Sequence, residues 1–231
     1  MKKIGIVGGL GPVATMDYYK EIIGIFNERG SDLNYPEIII YSVNMEKFLN
    51  LMKEKKYTEV VDLFARYINC LKNAGAEFAA ITANTPHLLF NEIKEISALP
   101  LISIVEAVAE EAKKLNLKKT GLIGTRFTMD STFYKDVFVT KNLQVIVPGE
   151  EDKQVIHQKL FSEIELGIFK DETRELLLDI VQKMKKENSI EGIILGCTEF
   201  PVLFREPAYS GIPFLNTTRI HVKKIVEYCL A

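Results

Sequence analysis

Four short segments hold the residues of this chain that could do chemistry. Each combines glycine with threonine, asparagine or cysteine, and each follows or ends an aliphatic run that predicts a β-strand. They are residues 8–12 (GGLGP), 82–87 (TANTPH), 124–128 (GTRFT) and 196–199 (GCTE). Backbone N–H groups and small polar side chains at the carboxyl ends of parallel strands bind anions, and a thiol there can transfer a proton. The segments therefore predict an anion-binding site at the strand ends, with the thiol of Cys197 beside it.

The overall composition excludes several classes of partner. The chain has 231 residues, with 29 Lys and Arg against 31 Asp and Glu, and this balance predicts no binding to nucleic acid or anionic membrane. No apolar run approaches the roughly 18 residues that a membrane span needs, and a strand-like run begins at Ile4, which leaves no room for a signal peptide. The three cysteines, Cys70, Cys197 and Cys229, are widely spaced and form no CxxC pair. They predict reduced thiols in the cytoplasm, without a disulfide framework or a metal site.

Strand-like and helix-like segments alternate along the whole chain. In one predicted helix, residues 57–73, apolar side chains recur on one face, and Gly75 follows where that helix would end. The predicted strands are residues 4–7, 37–43, 78–82, 101–104, 121–124, 144–147, 193–195 and 213–215. This alternation is typical of an α/β fold with parallel sheets built from right-handed βαβ units.

The two halves of the chain repeat one another. Residues 2–8 (KKIGIVG) match residues 118–124 (KKTGLIG), and a Thr-Met-Asp triplet follows each of them. Residues 99–102 (LPLI) likewise match residues 212–215 (IPFL). Short matches also arise from the composition that βαβ units share, but the common order of these landmarks favours an internal duplication. We therefore predict two pseudo-symmetric parallel-sheet α/β domains with an active site between them.

The duplication also assigns residues to domains and pairs equivalent positions. The first domain is expected to comprise residues 1–100 plus a C-terminal segment, 213–231, and the second domain residues 101–212. Within the repeat, Ala83 corresponds to Cys197. Only one of these two equivalent strand ends therefore carries a thiol.

The first polar segment allows a different interpretation. Gly9, Gly11 and Ala14 fit the G-x-G-x-x-A spacing of a dinucleotide-binding turn. In that fold an acidic residue at the end of the second strand binds the ribose, whereas the second predicted strand here runs into Asn44. The second half of the chain does not repeat this spacing. We therefore expect no nucleotide cofactor.

Taken together, the motifs resemble those of the aspartate/glutamate racemase family. The resemblance rests on IGIVGGLGPxAT at residues 4–15, NTxH at 84–87, GTRxTM at 124–129 and GCTE at 196–199, and it covers nearly the whole chain. It implies two pseudo-symmetric domains, activity without any cofactor, and two cysteines that flank the α-carbon of a bound amino acid. One cysteine removes the α-proton, and the other delivers a proton to the opposite face. We also expect a homodimer.

The resemblance and the strand-end positions assign roles to individual residues. Cys197 is expected to be the acid/base thiol that serves the L-enantiomer, with a pKa lowered by a helix N-terminus. The residues that we expect to bind the substrate are Gly9, Lys47, Asn84, Thr85, Thr125, Arg126 and Thr198. Those that we expect to support the site without touching the substrate are His87, Glu199 and His221.

One departure from the family pattern bears directly on the chemistry. The residue before Asn84 and Thr85 is a cysteine in typical members, and here it is Ala83. Asn44 and Asn216 stand where members commonly have aspartates. We therefore expect a cofactor-independent racemase for a small amino acid or dicarboxylate, aspartate or glutamate above all, with impaired or one-sided activity. Two alternatives stay open: a non-catalytic protein that binds a small carboxylate, and a decarboxylase or isomerase that needs one thiol.

Overall fold

The computed structural model describes residues 1–30 and 33–231. Two compact units are present, Met1–Ile104 with His221–Ala231, and Val105–Ile220. The strands are β1 (Ile4–Gly8), β2 (Ile38–Ser42), β3 (Phe78–Ile81), β4 (Leu101–Ile102), β5 (Lys119–Ile123), β6 (Gln144–Ile146), β7 (Gly192–Leu195), β8 (Ala208–Tyr209) and β9 (Ile212–Asn216). The helices are α1 (Pro12–Arg29), α2 (Met45–Lys53), α3 (Tyr57–Asn73), α4 (Phe90–Glu95), α5 (Ile104–Lys114), α6 (Arg126–Asp130), α7 (Phe133–Val139), α8 (Glu150–Ser162), α9 (Asp171–Asn188), α10 (Phe200–Leu203) and α11 (Thr217–Leu230), with 3-10 turns at Thr85–Leu89 and Ile164–Leu166. Within the described ranges, no helix is both long and apolar enough to cross a membrane.

The first unit contains a four-stranded parallel sheet with the strand order β2-β1-β3-β4. Successive residues of β1 point to opposite faces of this sheet. Ile4 and Ile6 are buried on one face, in a core completed by side chains of β3, α1 and α11: Phe78, Ala80, Tyr18, Ile22, Phe26, Val222, Ile225, Val226 and Cys229. On the other face, a Cβ added to Gly5 would lie 3.2 Å from Leu71 of α3. Helices therefore cover both faces, as an all-parallel sheet requires.

The second unit contains a five-stranded sheet with the order β6-β5-β7-β9-β8. Its first four strands are parallel and repeat the order of the first sheet, so that β5, β6, β7 and β9 correspond to β1, β2, β3 and β4. The registers correspond as well, because Ile4 lies opposite Phe78 and Thr120 lies opposite Gly192. Aliphatic side chains of β5, β7, α8 and α9 form much of its core, among them Ile123, Ile193, Leu195, Ile156, Leu160, Leu177 and Val181. The predicted α/β fold with mostly parallel sheets is confirmed.

Two details of this sheet differ from the sequence analysis. β8 is a two-residue strand, too short to show a hydrophobic period, and it pairs antiparallel with β9. β9 belongs to the second sheet because it pairs with β7, whereas the sequence grouped residues 213–231 with the first domain. The chain returns to the first unit at His221. At the other boundary, β4 pairs with β3, so residues 101–104 lie in the first unit and not in the second.

The turn from β1 into α1 depends on a contact between Gly9 and Thr15. Gly9 has φ +82°, and a Cβ there would lie 2.6 Å from the backbone nitrogen of Val43. The hydroxyl of Thr15 accepts a hydrogen bond from the Gly9 N–H (2.8 Å) and donates one to the carbonyl of Gly11 (3.1 Å). The glycine-rich turn is therefore held by its own helix, and the Gly9 N–H is used inside the turn.

A buried hydrogen bond joins α1 to α11 in the first unit. The hydroxyl of Tyr18 lies 2.8 Å from Nδ1 of His221, and Nε2 of His221 lies 2.9 Å from the carbonyl oxygen of Ile102. A carbonyl oxygen only accepts, so Nε2 carries the ring proton and Nδ1 accepts from Tyr18. Burial lowers the pKa of His221 to about 4 and keeps the ring neutral at neutral pH. His221 is thus a structural link between helices and the end of β4.

One carboxylate fixes the start of the connection between α8 and α9 in the second unit. Glu163 is 7% exposed. It accepts hydrogen bonds from Lys159 (2.7 Å), Lys170 (3.3 Å) and Thr173 (2.5 Å). These bonds, that from Lys159 above all, lower the pKa of Glu163 to about 2. The turn at Ile164–Leu166 begins at the next residue, so Glu163 sets the position of Glu165.

The bond between Tyr18 and His221 yields a test of the first unit. Tyr18→Phe leaves Nδ1 of His221 buried without a donor, which should lower the free energy of unfolding by about 1–3 kcal/mol in a urea titration. Tyr19→Phe, which removes a hydroxyl from the next residue of the same helix, is the control, because Tyr19 is 50% exposed. Its effect should stay within about 0.5 kcal/mol. Equal effects of the two substitutions would contradict a buried Tyr18–His221 bond.

The pKa of Glu163 yields a second test of stability. A carboxylate whose folded pKa is lowered stabilises the fold above its unfolded pKa, and this contribution disappears as the pH falls toward the folded pKa. Glu163→Gln should therefore lower the urea midpoint at pH 7, and its difference from wild type should shrink as the pH falls from about 4.5 to about 2. Glu172→Gln, an exposed substitution at the start of α9, serves as the control and should leave the midpoint unchanged. A Glu163→Gln difference that is independent of pH would refute this assignment.

Candidate active site

Cys197 lies two residues beyond β7, at the carboxyl edge of the second sheet. The N–H of the preceding residue, Gly196, donates to the carbonyl of Ile123 on the neighbouring β5 (2.7 Å) and fixes this strand end. Cys197 itself is 5% exposed. Ala83 lies two residues beyond β3, the corresponding strand of the first unit, and is also buried. The two equivalent strand ends therefore carry a thiol in one unit and a methyl group in the other.

Two carboxyl groups lie against the sulfur of Cys197. Its Sγ is 3.0 Å from Oε2 of Glu199 and 3.3 Å from Oε1 of Glu165. Thr198 donates its hydroxyl to the same oxygen of Glu199 (3.1 Å). A thiol carries one proton and donates to one carboxylate at a time. The second sulfur–oxygen contact is satisfied when the other carboxyl group is protonated and donates to the sulfur.

Burial and mutual repulsion raise the pKa values in this cluster. The pKa of Glu165 rises to about 7, first through burial and then through the charge of Glu199. The pKa of Cys197 is raised well above its usual value by burial and by the charges of both carboxylates. The expectation of a lowered pKa is wrong, because burial and the charges of Glu199 and Glu165 outweigh the lowering by the backbone N–H of Glu199. At neutral pH, Cys197 is therefore a thiol, and Glu165 is close to the midpoint of its titration.

The same three side chains have the spacing of a metal site. One ligand atom from each of Glu165, Cys197 and Glu199 lies within 4.8 Å of the other two. Thiolate and carboxylate groups are zinc ligands. The hydrogen bonds among these atoms account for their spacing without an ion, so the cluster fits proton sharing as well as metal binding.

Two predicted binding residues of the second unit have local partners. Thr125 caps α6, and its hydroxyl oxygen accepts from the N–H of Thr128 (3.3 Å). The guanidinium of Arg126 forms ion pairs with Asp130 (2.9 Å) and Glu150 (3.0 Å). Thr125 is half-buried at the strand end beside Cys197, whereas the charge of Arg126 is already balanced. Arg126 is therefore a weaker candidate for a substrate carboxylate than its position in the sequence indicated.

In the first unit, His87 supports the backbone around Ala83. The backbone N–H of Ile104 donates to Nε2 of His87 (3.2 Å), so Nδ1 carries the proton and donates to the carbonyl of Ala83 (2.9 Å). Burial, and then the nearby His221, lower the pKa of His87 to about 3. The ring is therefore neutral, with both nitrogens bound to backbone groups. His87 positions the segment that carries Ala83, and at neutral pH its ring is not in the charged imidazolium form that would act as an acid.

The other predicted residues of the first unit divide into two groups. Asn84 is buried and Thr85 is half-buried, both directly after Ala83 at the strand end. Lys47 lies in α2 with an exposed side chain, and its backbone N–H donates to Asn44, which caps that helix (2.9 Å). The side chains at this strand end are thus small and uncharged. None of the described contacts links the charge of Lys47 to this strand end.

Glu165 is a site residue to which the sequence analysis assigned no role. It lies in a 3-10 turn, 32 residues before Cys197, and no strand end marks it. Of the predicted residues, the structure brings Cys197, Thr198 and Glu199 into direct contact with one another.

Comparisons with known proteins identify the family of this chain. The sequence model of the family described as Asp/Glu/Hydantoin racemase matches residues 7–225. A Bacillus subtilis protein, the broad specificity amino-acid racemase RacX, is 25% identical over 99% of this chain and 98% of its own. An aspartate racemase homologue from Pyrococcus horikoshii is 36% identical with a TM-score of 0.82, and a Yersinia pestis protein assigned to the Asp/Glu racemases is 29% identical with a TM-score of 0.89; both structures are covered completely, as is this chain. The chain therefore belongs to the Asp/Glu/hydantoin racemase family.

Proposed function

We propose that this protein moves a proton at the α-carbon of an amino acid, using Cys197 and no cofactor. The observation that carries the proposal is the contact of the Cys197 sulfur with two carboxyl groups at a strand end, which gives the thiol partners for its proton. The broad specificity in the name of the Bacillus subtilis relative supports an amino-acid substrate that is not restricted to one side chain.

The carboxyl groups provide a place for the proton that Cys197 must give up before it can act as a base. To act as a base, Cys197 first transfers its proton to Glu165, and the thiolate then takes the α-proton while the C–H electrons remain on the substrate as a carbanion. To act as an acid, the thiol returns a proton to that carbanion. Both steps use the same face of the substrate. They exchange the α-proton with solvent without inverting the centre.

Inversion requires a donor for the opposite face. In the two-thiol reaction that the family resemblance implies, this donor is a cysteine at the position of Ala83. Ala83 offers a methyl group, and both ring nitrogens of His87 are engaged with backbone groups. We therefore propose that α-proton exchange of one enantiomer, the L-form, is faster than racemisation.

One observation favours a second candidate function, that of a decarboxylase or isomerase with one thiol. The raised pKa of Cys197 keeps it protonated at neutral pH, which suits a group that only donates a proton. A decarboxylase or isomerase of this family would need that single protonation from one face. Such an enzyme would turn over a carboxylate whose carbanion forms by loss of another group, and it would not exchange the α-proton of amino acids.

The proposal is tested by proton exchange in D₂O. The wild type should exchange the α-proton of an L-amino acid, detected by NMR, faster than it changes the optical rotation. Cys197→Ser should abolish the exchange, because a serine hydroxyl is far less acidic than a thiol, and Cys70→Ser should retain it, since Cys70 is an exposed residue of α3. Ala83→Cys should raise net racemisation by about 10²–10⁴-fold, the usual contribution of an acid/base group. Fast racemisation by the wild type would show that another group replaces the missing thiol.

The pH dependence tests the part assigned to Glu165. The exchange rate should rise as the pH passes through about 7, because the ionised Glu165 can then accept the thiol proton. In Glu165→Gln the amide cannot accept it, and burial and Glu199, the two largest causes of the raised pKa of Cys197, remain. The rise should therefore move to higher pH in this variant. An unchanged profile would remove Glu165 from the reaction while leaving Cys197 in it.

A further inference from the structure

We propose that the first turn of α11, with the buried hydroxyl of Thr218, is a carboxylate-binding site next to Cys197. It holds the carboxylate of the substrate while negative charge builds on its oxygens. This inference rests on the proposed function, because it adds a binding residue to the same site. Thr218 is not among the residues that the sequence predicted to bind the substrate.

The start of α11 lies on the strand end next to that of Cys197. β9 pairs with β7, and Asn216, the last residue of β9, lies opposite Leu195. α11 begins at the following residue, Thr217, whose hydroxyl donates to the carbonyl of Leu195 (2.8 Å). Cys197 follows Leu195 by two residues. The helix start and the thiol therefore share the carboxyl edge of the second sheet.

The N-terminus of α11 favours an anion. The helix has 14 residues, and its first turn contains no acidic side chain. N–H groups in the first turn of a helix have no carbonyl partner within the helix and carry a partial positive charge. The side-chain oxygen of Asn216 caps this end by accepting the N–H of Arg219 (3.0 Å). An amide cap is neutral, so the capping group adds no negative charge that would repel a carboxylate.

The hydroxyl of Thr218 is an independent indication of a ligand at this helix end. Thr218 is 4% exposed, and among the described residues its hydroxyl oxygen has no hydrogen-bond partner. Native structures seldom leave a buried hydroxyl without a partner, because its lost hydration costs free energy. Thr218 is the second residue of α11, so its O–H adds a donor to the N–H groups of the same turn. A carboxylate accepts hydrogen bonds from both kinds of donor.

A donor at this position also contributes to the reaction. Loss of the α-proton leaves a carbanion, and its charge spreads onto the oxygens of the adjacent carboxylate. Donors that already point at those oxygens stabilise this state without rearrangement. A carboxylate that is lost or protonated next to a carbanion occurs in the one-thiol reactions as well, so the site fits both candidate functions.

A titration followed by NMR tests the site with propionate and propionamide, which have nearly the same shape and differ in charge. The wild type should bind propionate at least about tenfold more tightly, because hydrogen bonds to a charged acceptor are the stronger ones. Thr218→Val removes the hydroxyl at nearly constant volume and should lower this preference by about tenfold. Thr218→Ser keeps the hydroxyl and should retain the preference. An equal preference in the wild type and Thr218→Val would overturn the proposal.

The urea midpoint of the ligand-free protein separates binding from structural damage. Thr218→Val replaces an unpaired hydroxyl with a methyl group, so it should raise the midpoint while it weakens propionate binding. Thr140→Val, which removes an exposed hydroxyl of the same unit, is the matched control and should leave both measurements nearly unchanged. A lower midpoint in Thr218→Val would show that the fold itself uses this hydroxyl and would refute the site.

Exchange of the α-proton in D₂O distinguishes failure of the site from failure of the proposed function. Thr218→Val should slow the exchange of an L-amino acid by about 10–100-fold, and Thr218→Ser should not. Equal exchange rates in the wild type and Thr218→Val would keep the proposed function and refute the site. If no amino acid exchanges its proton, the proposed function fails, and loss of the propionate preference in Thr218→Val still supports the site.

Discussion

The structure around Cys197 depends on how three acidic groups, the buried Cys197 and Glu199 and the half-buried Glu165, share a small number of protons. One thiol proton faces two carboxyl groups, and each group that ionises raises the pKa of the others. Such a cluster is stable only where the backbone fixes the positions of its members. The end of β7 fixes Cys197 through the Gly196 N–H, and the hydrogen bonds of Glu163 fix the turn that carries Glu165. Glu163, whose pKa is lowered, thus positions Glu165, whose pKa is raised.

The duplicated fold gives the two halves the same backbone and different chemistry. Corresponding strands with corresponding registers end in Ala83 and Cys197, so the difference lies in side chains and their charges. His87 contacts the Ala83 backbone and His221 lies near His87; the ring nitrogens of both are bound to neutral partners, and burial keeps both rings neutral. Around Cys197, the titratable groups are two carboxyl groups. The strand end of the first unit therefore lies beside neutral histidines, and that of the second unit carries a thiol whose proton is shared with two carboxyl groups.

Sequence patterns predicted the helices and strands whose positions depend on the local spacing of apolar residues. The helix at Tyr57–Asn73 has the predicted bounds, and the predicted strands correspond to β1 through β7 and β9, because apolar spacing and turn residues report burial directly. Cys197 could be selected because it follows a buried strand. Glu165 could not be selected, because its contact spans 32 residues and depends on a turn that Glu163 fixes through partners in α8 and α9. The sequence favoured Arg126 as a substrate-binding residue, whereas its guanidinium is paired with Asp130 on the same helix and with Glu150, a contact across 24 residues.

The sign of the thiol's pKa shift shows why position alone does not define reactivity. A cysteine at a strand end, next to a helix N-terminus, is expected to ionise readily. The α10 helix is short, and its small dipole competes with two carboxylates within 3.3 Å of the sulfur. Any cation that enters the cluster lowers the pKa values of Cys197 and Glu165 together, because it stabilises both ionised forms. An amino acid carries such a cation in its α-ammonium group, so under the proposed function the binding of substrate would drive the thiol toward the form that can take a proton.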